Sequence, residues 1–148
     1  MASPRCVVRL ADEDDVHAII DCALTFPSYD VVPEAIEPLI RASIAQGACF
    51  VAVEAQVTGF LVGLVLPHPF SGRAYVDWIA LYVQLAHRRT GAGLGLLRKM
   101  LRFSWREPLE LVKIAVADSR LRTFLHRQGF REVETVLIKG DAWQQFRS

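Results

Sequence analysis

The 148-residue sequence has no long apolar run. Its most apolar stretch, Phe60–Leu66, is far shorter than the roughly 20 residues that a membrane-spanning helix needs. The opening segment, Met1–Leu10, holds only the short apolar pair Val7-Val8, too little for the apolar centre of a secretory signal, so a soluble cytoplasmic protein that does not engage a membrane is expected. Cysteine is scarce and odd in number. Cys6, Cys22 and Cys49 each sit among apolar neighbours, and none is at C-x-x-C spacing. That excludes a disulfide framework, and the three read as buried, reduced thiols. Neither sign of charge is in excess: 17 Lys and Arg against 16 Asp and Glu leave +1, so no global field draws the chain to nucleic acid or to an anionic membrane. His17, His68, His87 and His126 show no paired ligand spacing, and no metal is expected. There is no repeat, linker or low-complexity tract. With 52% hydrophobic residues, the chain reads as one domain over 1–148 with its core at about 7–139.

What is present is a regular succession of elements. Val7–Leu10 reads as a short strand. Asp12 caps the next helix, with Asp15 three residues on and Val16, Ile19, Ile20, Ala23 and Leu24 on one stripe. The run Asp12-Glu13-Asp14-Asp15 reads as a solvated helix start. Phe26–Asp30 breaks that helix. Pro33 opens a second one, with Ile36, Leu39, Ile40 and Ile44 inward and Gly47 at its end. The period then changes to two. Ala48–Glu54 reads as a strand, Ala55–Gly59 as a turn and Phe60–Leu66 as the hairpin partner. After the loop Pro67–Gly72, Ala74–Val83 is a third long strand. A helix over Thr90–Trp105 is stopped by Pro108, with Arg98, Lys99, Arg102 and Arg106 on its polar face. Leu111–Val116 reads as a strand buried on both faces. Asp118–Gln128 is helical, and Val133–Lys139 is a last strand. Hairpins come first and crossover helices later, so the class is α/β, of the α+β kind, with a central mixed sheet flanked by about four helices. Trp78, Trp105 and Trp143 read as core or interface residues.

One segment carries chemistry. Leu81-Tyr82-Val83 runs into Arg88-Arg89-Thr90-Gly91-Ala92-Gly93-Leu94-Gly95, so a strand ends, the chain turns and a helix begins. The first N–H groups of a helix have no internal partner, and their dipoles sum to roughly half a positive charge. Glycines let a ligand approach the backbone, and such a terminus binds phosphate. The bland alternative is a tight turn with Arg88 and Arg89 as solvated charge. The nucleotide P-loop sequence does not occur. The dinucleotide fingerprint fails because Leu96 stands where its third glycine belongs.

Arg88-x-x-Gly91-x-Gly93 fits the [RQ]-x-x-G-x-[GA] pattern of the GNAT family of N-acetyltransferases. Leu81-Tyr82-Val83 precedes it at that family's spacing, Leu96-Leu97 follows in the helix, and Phe124-Leu125-His126-Arg127-Gln128-Gly129-Phe130 resembles the family's closing F-Y-x-x-x-G-F. The resemblance covers nearly the whole chain, about Val7 to Lys139. It implies a GNAT-like fold and acetyl transfer from acetyl-CoA to a primary amine of an acceptor. The strands around Val83 and Val116 would splay to admit the pantetheine arm. Backbone groups of Leu81, Tyr82 and Val83 would bond the arm and the thioester carbonyl. The loop of Arg88, Arg89, Thr90, Gly91, Ala92, Gly93 and Leu94 would hold the pyrophosphate. The acceptor, a small molecule or a protein, would arrive beneath Phe26–Val32 and Pro67–Gly72, where Phe26, Tyr29 and Phe70 point to an amphipathic or modest-sized acceptor. A homodimer is a family-level expectation.

Transfer to an amine needs a base for the ammonium and a proton for the thiolate. Asp77 lies six residues before Val83, and period two places Asp77, Ile79, Leu81 and Val83 on one face. In the family an acid near this position serves as base; the structural alternative is a loop cap or a pair with Arg73. The family's acid is a tyrosine four residues before Gly129, and here that position is Leu125. His126 is adjacent, one helical step of about 100° away. Ser119, Tyr82 or water are other donors. Leu125 leaves a second reading: a non-catalytic acyl-CoA-binding regulatory module of the same fold.

Overall fold

In the computed structural model, the described residues are 5–27, 30–106, 108–116, 119–134, 137 and 139. They fall into two compact units, Met1–Ile114 and Ala115–Ser148, each taken by itself below.

The first unit contains β1 (Val7–Leu10), α1 (Val16–Ala23), α2 (Pro33–Ala45), β2 (Cys49–Val53), β3 (Val57–Pro67), β4 (Ala74–Val83), α3 (Ala92–Arg106) and β5 (Val112–Ile114). The sheet order is β1-β2-β3-β4-β5. The first three pairings are antiparallel and β4–β5 is parallel. The sheet is therefore mixed, as hairpins followed by a helical crossover require. Val16, Ile19 and Ile20 of α1 and Ile40 of α2 bury against Cys49, Val51, Phe60, Val62 and Tyr82 on one face. Each such side chain contributes roughly 1.5–3 kcal/mol when fully buried. Trp78 packs edge-on against Phe103 of α3, with ring centroids 5.4 Å apart. Trp78 pairs with Gly63, one residue beyond Val62, so α3 covers the opposite face.

Local chemistry explains the helix ends. Asp12 Oδ1 accepts from the Asp14 N–H at 2.9 Å, and Asp15 Oδ2 accepts from the Asp12 N–H at 2.8 Å. The first turn, Glu13–Asp15, is a 3-10 turn leading into α1. The acidic run is not all solvated: Asp15 is buried and held by both terminal guanidinium nitrogens of Arg9, at 2.7 and 2.9 Å. α2 has Pro33 at its start and closes on Gly47 at φ +69, where the N–H groups of Gly47 and Ala48 bond the Ile44 and Ser43 carbonyls. The Gln46 side chain then accepts from and donates to the Val65 backbone, at 2.8 and 3.0 Å, sealing the part of β3 that runs past β2.

Several expectations are corrected. Leu24 is half-exposed, outside the buried stripe of α1. β3 begins at Val57, because Val57 pairs with Val53 of β2 across a bulge in which Thr58 is the extra residue. α3 begins at Ala92 instead of Thr90, because Gly91 takes φ +86, which is not helical. β5 is only three residues long and alternates half-buried with exposed; among the described residues it has a strand on one side only. Cys22 and Cys49 are buried, and burial pushes their thiols up to about 11 and about 12, whereas Cys6 is half-exposed. Trp78 is buried and Trp105 exposed; Trp143 lies outside the described residues.

The second unit holds α4 (Ser119–Arg127), which ends on Gly129 at φ +94 with the Gly129 and Phe130 N–H groups on the His126 and Leu125 carbonyls. Its expected first residue, Asp118, lies outside the described residues. No strand occurs at the described positions of the expected Val133–Lys139 strand; Thr135, Val136 and Ile138 lie outside them.

Candidate active site

The site is built on β4. Its register with β3 runs Leu61↔Leu81, Val62↔Ala80, then Gly63↔Trp78, so Ile79 is an extra residue with no partner on β3. The bulge changes which side chains share a face. Asp77 stands opposite Leu64 and Leu81 opposite Leu61, three residues apart on a strand of period two. Asp77 therefore faces away from Leu81 and Val83, and the expected single face of Asp77, Ile79, Leu81 and Val83 is overturned. Asp77 shares its face with Tyr75, Ala80 and Tyr82, and with Lys113, its parallel neighbour on β5. It is half-buried, and among the described residues no group hydrogen-bonds or ion-pairs with it. Arg73, its sequence-level alternative partner, is held instead by Glu110 at 2.9 Å.

The pairing of β4 with β5 stops at Trp78↔Ile114. Beyond it, the Gln84 N–H bonds the Thr58 carbonyl at 2.8 Å, directed toward β3. Backbone polar groups alternate along a strand, so those of Tyr82 also point toward β3, and those of Leu81 and Val83 point to the opposite edge. The Val83 carbonyl there accepts from Arg88 Nε at 3.1 Å. The Tyr82 side chain is buried. Its hydroxyl lies 2.8 Å from Thr25 Oγ1, and its ring meets Phe26 edge-on at 5.1 Å and stacks with Phe60 at 5.9 Å. Phe26 is thus partly committed to the core, and the Tyr82 hydroxyl is committed to Thr25.

The segment after β4 turns through Leu85–His87 and reaches Gly91 in the left-handed region that glycine tolerates. The first intrahelical bond of α3 runs from the Gly95 N–H to the Gly91 carbonyl at 2.9 Å. The N–H groups of Ala92, Gly93 and Leu94 precede it and have no acceptor among the described residues. A Cβ on Gly93 would come no closer than 4.0 Å to Val83 Cγ2, so that side of the helix start is open. Arg88 and Arg89 are exposed beside it. Thr90 Oγ1 bonds the His87 carbonyl at 2.7 Å. His87 Nδ1 is paired with Glu54, whose side chain is 11% exposed and lies in the β2–β3 turn. This anchor of the loop was not visible in the sequence, since 33 residues separate its partners.

In α4, Leu125 is buried. His126 is half-exposed with Nε2 3.7 Å from Glu132. Phe70, at the tip of the β3–β4 loop, is 95% exposed, and Tyr29 lies outside the described residues. Among the described residues, no group of three or more His, Cys, Asp or Glu side chains could hold a metal ion, and no helix is long and apolar enough to cross a membrane.

No protein-family model matches the sequence, and no curated protein matches it. Solved structures do. A ribosomal-protein-alanine N-acetyltransferase from Brucella melitensis biovar Abortus 2308 shares 16% identity at a TM-score of 0.66, over 92% of this chain and 99% of that one. An aminoglycoside acetyltransferase from an uncultured soil metagenomic sample, in complex with sisomicin, shares 18% at 0.63, over 91% and 94%. A GNAT family acetyltransferase of Staphylococcus aureus shares 12% at 0.64, over 92% and 98%. At such identities the likeness is one of fold: the chain has the GNAT acetyltransferase fold.

Proposed function

We propose that the chain, acting as one domain, is an N-acetyltransferase that moves an acetyl group from acetyl-CoA to a primary amine by direct attack. The observation that carries this reading is the open start of α3 behind Gly91, beside an edge of β4 whose backbone groups at Leu81 and Val83 face outward. Aligned N–H groups suit a pyrophosphate, and Arg88 and Arg89 add charge within reach of it. An outward strand edge suits the amide-bearing pantetheine arm, which it would bind as it binds a strand. The residues fit the coenzyme, which supplies the activated thioester.

The chain's own residues have three tasks. Backbone N–H groups at the β4 edge polarise the thioester carbonyl. Asp77, on the side of the sheet away from Leu81 and Val83, takes a proton from the acceptor ammonium, directly or through water. The amine nitrogen then bonds the carbonyl carbon, the C–S bond breaks, the nitrogen sheds a second proton to water as the amide forms, and the thiolate takes a proton. With Leu125 in place of a tyrosine and the Tyr82 hydroxyl on Thr25, water supplies that proton in this proposal, and His126 is the weaker candidate. The neighbours act on aminoglycoside or ribosomal-protein amines, which supports an amine acceptor. A cytoplasmic setting with reduced thiols and a homodimeric state belong to the same proposal.

Acetyl-CoA at 100 times its Kd should stabilise the protein by about 2.7 kcal/mol, seen as a raised Tm. An unchanged Tm at millimolar acetyl-CoA overturns the reading. Buried Leu125 favours one competitor, the non-catalytic acyl-CoA-binding module. A raised Tm without release of coenzyme A across a broad amine panel would establish it.

A further inference from the structure

The face of the sheet that carries Asp77 continues past it as a row of rings. Tyr75 is two residues from Asp77 on the same face of β4. The His68 ring meets Tyr75 edge-on at 5.9 Å, and Phe70 follows at 6.0 Å from His68. Leu64 and Leu66 stand opposite Asp77 and Tyr75 on β3, both half-exposed, so the floor between the rings and the acid is apolar. The loop that presents Phe70 is braced. His68 N–H bonds the Arg73 carbonyl at 2.8 Å, Gly72 N–H bonds the His68 carbonyl at 2.8 Å, and Phe70 N–H bonds His68 Nδ1 at 3.3 Å. Ser71 and Arg73 both bond the Glu110 carboxylate, and the Ser71 hydroxyl, first, holds that carboxyl below the usual range. Phe70 is 95% exposed at the tip of this braced loop.

Two features of this strip select a ligand. Its one end is a half-buried carboxylate with no partner among the described residues, which calls for a cation. Its other end is three ring systems and two leucines, which call for a flat, apolar body. The rings and leucines disfavour a ligand that is cationic along its whole length, because its inner charges would lose water there without a partner.

We propose that the acceptor is a primary amine with a flat apolar body, its ammonium at Asp77 and its body lying along Tyr75, His68 and Phe70. This deepens the transferase reading and rests on it for the role of Asp77. The test pairs 4-phenylbutylamine with spermidine, of similar reach but charged throughout. Coenzyme A release should show kcat/KM at least tenfold higher for 4-phenylbutylamine. Phe70→Ala should lower that value about tenfold, mainly through KM, and leave spermidine within twofold. Spermidine preferred, or Phe70→Ala acting alike on both amines, overturns the proposal. Titrating 4-phenylbutylamine into the ¹⁵N-labelled protein separates the two readings. Amide shifts centred on His68, Phe70 and Tyr75 without any release of coenzyme A would sink the transferase and keep the amine site. Release of coenzyme A with those amides unmoved would sink the site and keep the transferase.

Discussion

Asp77 and Leu81 lie on opposite faces of β4 although they are four residues apart, because Ile79 adds one residue to the strand without a partner on β3. The bulge divides the work of one strand. The backbone edge at Leu81 and Val83 runs past the end of β5, and the side chain of Asp77 is turned to the face that carries Tyr75.

Asp77→Asn should lower turnover by about a hundredfold or more, within the 10²–10⁴ range of general-base contributions, and leave acetyl-CoA affinity within a few-fold. Steady-state kinetics on an active amine, with calorimetric titration of the coenzyme, checks both halves. Unchanged turnover across pH 6 to 9, a span that brackets a general-base limb, would return Asp77 to a structural role.

Gly93→Asp should abolish coenzyme binding while the fold persists. The nearest atom to a new Cβ is Val83 Cγ2 at 4.0 Å, and an acid in the first turn of a helix is compatible with its dipole. Its carboxylate would sit where phosphate charge is to be held. Arg102→Ala, on the exposed face of α3, should bind nearly as wild type. Equal affinities of the two variants by calorimetry would place the pyrophosphate elsewhere.

Gly95→Ala should destabilise by about 1–3 kcal/mol through overpacking. Its Cβ would stand 2.6 Å from Val8 Cγ2, where a stiff β-branched side chain on β1 has little room to yield. Val8→Ala in the same chain should recover part of the loss. Thermal or urea unfolding of the four variants in the cycle measures this, and additive losses would refute the contact.

Asp15→Asn should cost about 1–3 kcal/mol at pH 7, since it removes the charge partner of Arg9 and an acceptor for the Asp12 N–H. The Arg9 hydrogen bond is the first cause holding the Asp15 carboxyl below its ordinary value. A depressed carboxyl contributes stability that is full above its unfolded value of about 3.9 and is lost as pH falls through the folded value. The gap between wild type and variant should therefore be constant from pH 7 to about 5 and close below about 4. A gap that persists to acid would show that the carboxylate charge contributes nothing.

Much of the secondary structure is local in origin and was legible in the chain. Asp12 with Asp15, Pro33 and Gly47, and Gly129 mark helix ends through bonds to backbone only a few residues away. The glycine pair Gly91 and Gly93 after a strand marks the turn into a helix for the same reason. The bounds of β3 and β5 were not legible, because a strand's length depends on its partner, and that partner is elsewhere in the sequence. Tyr82 illustrates the limit at the level of one side chain: its position on β4 is plain from the sequence, but Thr25, 57 residues away, decides that its hydroxyl is occupied.

What the sequence determined by itself is therefore the order of the elements from β1 to α4, the mixed character of the sheet and the glycine-bearing turn into α3. Only the tertiary structure decided which face Asp77 looks from, that Glu54 and His87 brace the loop, and that Tyr75, His68 and Phe70 form one row. The physical reason is register. An alternating strand carries its pattern in the chain, but an extra residue such as Ile79 is defined only against the neighbouring strand, where the count of hydrogen-bonded partners fails to match.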